Sequence, residues 1–217
     1  VGRSFWQHSR ITRSAKMYEC LYCLRGGIGF GVLLGGALII STTIAVGSAI
    51  GERTAVTPEL IVSLTSPRVI IIKAKRVLHL LDGDRLVRSY PVDLGTIPVG
   101  PKRHKGDGRT PIGVFRVVAK NADSPYHRFI GLDYPDMATA EWGLSHGLIS
   151  PGEAAGIRRA LAAGRCPDWT TALGGGIGIH GRRIGLDWTG GCIALSNDHV
   201  EELFSVLRIG DNVEILQ

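Results

Sequence analysis

Between Gly174 and Leu195 the chain reads GGGIGIHGRRIGLDWTGGCIAL. Glycines at this density work against a helix, because each one loses more backbone freedom on ordering than any other residue. The apolar residues instead fall into two short runs, one ending at His180 and the other beginning at Cys192. The stretch therefore predicts two adjacent short strands joined by a polar, hairpin-like loop, with histidine and cysteine facing each other. A thiolate nucleophile and its base require that arrangement.

The rest of the chain reads as a strand-rich scaffold for this stretch. Val69–Lys73 is a β-branched run that predicts a buried strand. Arg76–Leu81 and Leu86–Tyr90 flank Asp82-Gly83-Asp84 and predict a β-hairpin, since D-G supplies the positive φ of such turns. Ile112–Val118 and Phe129–Tyr134 predict two more strands, separated by a turn at Asp123–Tyr126. Gly100–Pro111 is rich in glycine and charge but lacks the order of a phosphate-binding loop, and reads as a solvated loop.

Two helices follow from end signals. Ser150-Pro151-Gly152-Glu153 is a capping box with proline at the first helical position, and Gly164 stops that helix. A second begins near Asn197 or Asp198, with Asp198 and Glu201 as a candidate box, and carries Val200, Leu203, Phe204 and Leu207 on one face. Asn212–Leu216 predicts a closing strand. The sum is a mainly β fold with short helices, a β-sandwich or open barrel.

Charge is unevenly placed. Of the formal net +6, the first 25 residues hold five basic groups and one acidic, a surplus of four, which leaves two for everything else. Without a basic stripe carrying interleaved aromatics, the main domain does not read as a nucleic-acid binder. Residues 26–51 contain no charge, a run of 26 that exceeds the roughly 20 residues needed to span a bilayer. The expected organisation is a cytoplasmic basic leader (1–25), a transmembrane anchor or signal segment (26–51), a linker (52–67) and a catalytic domain (68–217). The positive-inside tendency puts that domain on the outer side of the cytoplasmic membrane. If Gly47, Ser48 and Ala49 permit cleavage the product is secreted, and Met17 is an alternative start.

The chemistry expected of the glycine-rich stretch centres on Cys192 and His180. Backbone N–H groups at Gly190, Gly191 and Cys192 are candidates for an oxyanion hole, because glycine leaves the approach to the amide open. His180 needs an acceptor on its second ring nitrogen, and the Gly181 carbonyl is the nearest. As residue types alone, a strand cysteine and a single histidine also fit a packed core. A metal site is disfavoured, since one Cys and one His supply two of the three or four ligands that zinc takes. Cys20 and Cys23 form a C-x-x-C pair without a second ligand pair, and Cys166 and Cys192 read as free thiols. No cofactor is implied.

Gly178-Ile-His180-Gly181 followed by Thr189-Gly-Gly-Cys192-Ile-Ala-Leu195 resembles the signature of the L,D-transpeptidase catalytic domain, the YkuD/ErfK family. The resemblance extends through Gly106–Gly113, Leu132–Pro135, Asp187-Trp188, Leu195–Asn197 and Glu201–Leu203, over roughly Arg68 to Gln217, and its wording is similar to the YafK-like branch. It implies a Cys192–His180 pair supported by the Gly181 carbonyl, and peptidoglycan stem peptides as substrate. The thiolate attacks the amide after the third residue of a stem tetrapeptide, D-alanine leaves, and an amine of another stem resolves the thioester. The same acyl-enzyme resolved by water gives a peptidase, and a wall-binding module without catalysis would keep the fold. The family often has His where Gly190 stands, and Arg or Asn where Ala194 stands. Thr189, Trp188, Asp187, Arg109 and Arg182 are candidate substrate contacts.

Overall fold

A computed structural model describes residues 64–217. The leader and the 26–51 segment lie outside the described residues, as does the C-x-x-C pair. Among the described residues no helix is long and apolar enough to cross a membrane.

The element order is β1 (Pro67–Ile72), β2 (Val77–Asp82), β3 (Arg85–Pro91), β4 (Gly113–Ser124), β5 (His127–Leu132), α1 (Met137–Ser145), α2 (Pro151–Ala162), β6 (Gly178–His180), β7 (Ile193–Ala194), α3 (Asn197–Val206) and β8 (Asn212–Leu216). The strands form a single eight-stranded sheet in the order β3-β2-β1-β8-β4-β5-β6-β7. The chain's last strand is thus central, parallel to β1 and antiparallel to β4. Alternation explains the placement: Val69 and Ile71 of β1 and Val213 and Ile215 of β8 all point into the core.

Closure comes from β4. Its first half pairs with β8 and its second half with β5, with register shifts at Val117/Ala119 and Asn121/Ser124. Such irregularities bend a strand and raise its twist. The far end of the sheet then returns to the segment after β3, where Asp93 bridges Ala194 and Gly95 bridges Thr189. The result is a half-barrel, so the stacked-sandwich form of the expectation is corrected to one curled sheet.

The core fills this barrel with aliphatic side chains and Tyr90, Phe115 and Tyr134, and α3 lays Val200, Leu203 and Val206 against it. Leu64, placed in the linker by the sequence reading, already packs in this core. The D-G hairpin is β2–β3, with Gly83 at φ 58°. The capping box of α2 forms as expected. The cap of α3 differs: Ser196, not Asp198, accepts from the His199 N–H, and Asn197 turns its side chain to the Arg182 N–H instead. Helix α1 was not expected. It starts at Asp136, whose carboxylate accepts from the Thr139 N–H, and it packs with α2 in a small second core that includes Ala140, Ile157 and Leu173.

The 100–111 loop is solvated only at its tip, His104 to Gly106, and is otherwise held against the domain. Lys102 is 3% exposed and pairs with Asp107 at 2.7 Å, and Asp107 also accepts from the backbone of Arg103, His104 and Arg109. Beneath it the buried Lys73 ammonium donates to the carbonyls of Gly100 and Thr110, each at 2.7 Å. A buried cation is tolerated only when its protons are taken up in this way.

Candidate active site

Strands β6 and β7 carry the site at the end of the sheet. They are three and two residues long and run parallel, with Ile179 opposite Ile193 and His180 opposite Ala194. The hairpin expected from sequence is therefore corrected. A parallel pair cannot be joined by a tight turn, and residues 181–192 form a longer connection that loops out and back. Cys192 lies two positions before Ala194, on the face shared with His180, because strand side chains alternate. Sheet spacings put their Cα atoms on the order of 8 Å apart, and in this state the thiol and the imidazole each bond a backbone carbonyl rather than each other.

The connection is held from below by Asp93, 2% exposed. Its carboxylate accepts from the N–H groups of Ile184 and Gly185 at 2.8 and 2.9 Å and pairs with Arg183 at 3.1 Å. Asp187 has a similar task. It binds the Arg76 guanidinium at 2.7 Å and accepts from the Leu94 N–H at 2.9 Å, so its carboxylate serves the scaffold.

His180 is 3% exposed, and its Nδ1 lies 2.7 Å from the Gly181 carbonyl. A carbonyl only accepts, so Nδ1 carries the proton and Nε2 keeps its lone pair. Burial lowers the His180 pKa, opposed in part by the bond to Gly181. Burial pushes the Cys192 thiol up to about 11, against the pull of the Gly178 backbone and the Lys102 ammonium. Both groups thus rest neutral near pH 7, and the thiol donates to the Gly176 carbonyl at 3.4 Å. Tyr126 and Trp188 wall the imidazole, with ring centroids at 4.8 and 5.8 Å.

Together with Thr189, Gly190 and Trp169, these residues line a cavity of about 290 Å³. Thr189 sets the turn before the cysteine, donating its hydroxyl to the Cys192 carbonyl at 2.7 Å and accepting from the Gly191 N–H at 3.1 Å. The Gly191 amide is therefore engaged in this state, and the amides of Gly190 and Cys192 are the remaining candidates for an oxyanion hole. Gly191 sits at φ 138°, and a Cβ there would lie 2.6 Å from the Arg109 carbonyl oxygen. Gly190 is different: it is exposed, and a Cβ there would meet nothing within 4 Å.

Of the other residues named from sequence, Trp188 and Thr189 line the cavity, while Arg109 and Arg182 do not. Arg109 supports the site through its backbone carbonyl, and its guanidinium donates to the Val99 carbonyl. Arg182 is exposed with φ 64°. His146, which like His180 precedes a glycine, caps α1 and stacks on Trp142. Sequence reasoning missed Tyr126, Trp169 and Asp93. The first two sit in turns whose only signal was an aromatic among turn-forming residues. Neither Cys166 nor Cys192 is in a disulfide. Among the described residues no group of three or more His, Cys, Asp or Glu side chains is assembled that could hold a metal ion.

Comparison with known proteins gives a family. Residues 66–215 match the profile of the YkuD L,D-transpeptidase catalytic domain. No curated protein matches the sequence. Among solved structures, the fold is similar to an L,D-transpeptidase from Mycobacterium smegmatis, with 12% identity over 70% of this chain and 59% of that one, TM-score 0.42. It is also similar to the helical cell shape determining protein Pgp2 from Campylobacter jejuni, with 20% identity over 74% of this chain and 55% of that one, TM-score 0.47. A third is L,D-transpeptidase 1 from Mycobacterium tuberculosis, with 15% identity over 70% of this chain and 62% of that one, TM-score 0.40. The chain spans between about half and three fifths of the length of these structures. With the family profile covering 150 of the 217 residues, the chain belongs to the L,D-transpeptidase catalytic domain family.

Proposed function

We propose that the chain is a cysteine acyltransferase that cross-links peptidoglycan stem peptides, with Cys192 as nucleophile and His180 as base. The observation that carries the reading is that the Cys192 thiol and an imidazole with its Nε2 lone pair free line one cavity on one face of β6–β7. Neutral resting groups mean that the proton moves as attack begins. The thiol proton passes to Nε2, and sulfur adds to the amide carbonyl after the third stem residue. The amides of Cys192 and Gly190 then stabilise the oxyanion. The C–N bond breaks as the imidazolium returns the proton to the leaving D-alanine, and a thioester remains. An amine of a second stem attacks it, gives a proton to His180, and restores the thiol as the new amide forms.

A second reading, the same thioester resolved by water, draws support from the open space at Gly190, which leaves the mouth of the cavity uncovered. Family membership supports a site of action in the cell envelope. The membrane tether rests on the uncharged 26–51 run. A reporter fused after Gln217 that is active only in the cytoplasm would overturn the outward orientation.

Incubation with disaccharide-tetrapeptide, followed by mass spectrometry of protein and products, tests the chemistry. An adduct on Cys192 with free D-alanine is expected in either case, and cross-linked dimer against tripeptide chooses between amine and water. Full turnover by Cys192→Ala would sink the assignment.

A further inference from the structure

A second groove, about 760 Å³, lies beside the catalytic cavity and is larger than it. Its floor is apolar, with Val118 and Ala119 of β4, and its walls carry Lys120, Arg159, Arg165 and Cys166. No acidic residue lines it. The Lys120 ammonium is fixed, donating to the carbonyls of Phe204 and Leu207 at 2.5 and 2.7 Å. Arg159 and Arg165 are exposed, and neither guanidinium has an ion-pair or hydrogen-bond partner among the described residues. Four other arginines of the domain are tied to carboxylates, Arg68 to Asp84, Arg76 to Asp187, Arg116 to Asp133 and Arg128 to Glu201, while the exposed Arg158, Arg182 and Arg208 line neither this groove nor the catalytic cavity.

The groove and the catalytic cavity share two walls. Strand β4 gives residues 118–120 to the groove and Asn121 and Ser124 to the cavity, while the loop after α2 gives Cys166 to the groove and Trp169 to the cavity. From Lys120 to Ser124 the strand advances about 13 Å, the span of an extended peptide of about four residues. A cavity of about 290 Å³ is at the small end for a ligand site and takes little beyond the scissile end of a peptide.

We propose that the groove is a subsite that reads the carboxylates of a peptide chain, the second stem that meets the acyl-enzyme at Cys192. The inference rests on the function proposed above. Arg159 and Arg165 pair with carboxylates along that stem, its methylene and methyl groups cover Val118 and Ala119, and its amine is delivered over Asn121 toward the thioester. Guanidinium–carboxylate pairing is directional as well as charged, so the groove discriminates a carboxylate from its amide.

The test uses the full chain carrying Cys192→Ala, so that binding is read without acyl transfer. Calorimetric titrations compare a stem tripeptide with free carboxylates, the same peptide as its carboxamides, and inorganic phosphate as competitor. The free acid is expected to bind roughly tenfold or more tightly than the carboxamide form. Adding Arg159→Gln and Arg165→Gln should erase that preference, and the charge-keeping pair Arg159→Lys and Arg165→Lys should retain part of it. Both positions are exposed, and an unchanged far-UV spectrum establishes that the variants fold. Equal binding of the two peptides, a preference that survives the double Gln variant, or phosphate displacing the peptide at equal concentration would overturn the proposal. A wild-type chain that forms no adduct on Cys192 sinks the proposed function, whereas the titration needs no adduct and is read independently.

Discussion

The resting state of the Cys192–His180 pair can be measured directly. Burial raises the thiol from an ordinary 9.0 to about 11, a shift of about two units that leaves roughly a hundredfold less thiolate at any pH below 9. A more basic thiolate is also a better nucleophile, and with a Brønsted slope of 0.4–0.5 that returns somewhat less than tenfold. Alkylation of Cys192 by iodoacetamide, which brings no proton acceptor of its own, should therefore run about tenfold slower than that of a free thiol such as glutathione. Its rate should climb with pH from 7 to 10 without a plateau. Mass spectrometry of the peptide containing Cys192 over a time course at each pH gives these rates and separates them from labelling at Cys166. An ion pair of thiolate and imidazolium would behave otherwise, with a plateau starting below about pH 8 that disappears in His180→Ala. That plateau would refute the neutral pair, and with it the claim that the proton moves as attack begins.

Other perturbations follow from the same contacts. Gly191→Ala puts a Cβ 2.6 Å from the Arg109 carbonyl at a φ of 138°, and should lower stability by about 3 kcal/mol. Gly190→Ala should change the urea midpoint little, and equal losses in the two variants would refute the distinction. Asp93→Asn leaves the Arg183 guanidinium unpaired and weakens the bonds to Ile184 and Gly185. It should cost about 2–3 kcal/mol in urea melts, and adduct formation should slow because the site loop loses its pin. Lys73 titrates low, at about 8, chiefly because it is buried, with Arg109 and Arg76 adding to the effect. Between that pH and 10.5 the unfolded chain holds a proton the folded chain has lost, so the Lys73 contribution grows as pH rises through the window. The stability of the wild type relative to Lys73→Met should increase from pH 8 to pH 10, and a falling difference would contradict the assignment.

What the sequence disclosed depended on whether the signal was local. The D-G hairpin and the capping box of α2 announce themselves within a few residues, and both appear where expected. Parallel pairing of β6 with β7 does not, because strands of three and two residues are too short to show a period, and their partners are set by the return of Thr189 to Gly95. Helix α1 carries no apolar stripe, since it buries Thr139, Ala140 and Gly143, small residues that let it approach Leu173. The 100–111 loop misled by its charge. Lys102 and Asp107 look solvated in sequence, but each neutralises the other indoors. Asp93 was invisible for a related reason: its partners are amides 91 and 92 residues away.

The two glycines before Cys192 divide the work of the site. Gly191 cannot take a side chain because the Arg109 carbonyl presses on it, and its amide is tied to Thr189. It therefore fixes where the sulfur sits. Gly190 faces open space at the rim, so it constrains the backbone less than it constrains what lies above the thioester. A bulky residue there would exclude water from the acyl-enzyme and narrow the route for an incoming amine. Replacing Gly190 with His should shift the partition between tripeptide and cross-linked dimer while leaving the D-alanine released in the first turnover nearly unchanged. A variant whose first-turnover D-alanine falls in step with its dimer yield would show that a side chain at 190 obstructs the first stem as well as the second, and the division drawn here between the two glycines would fail.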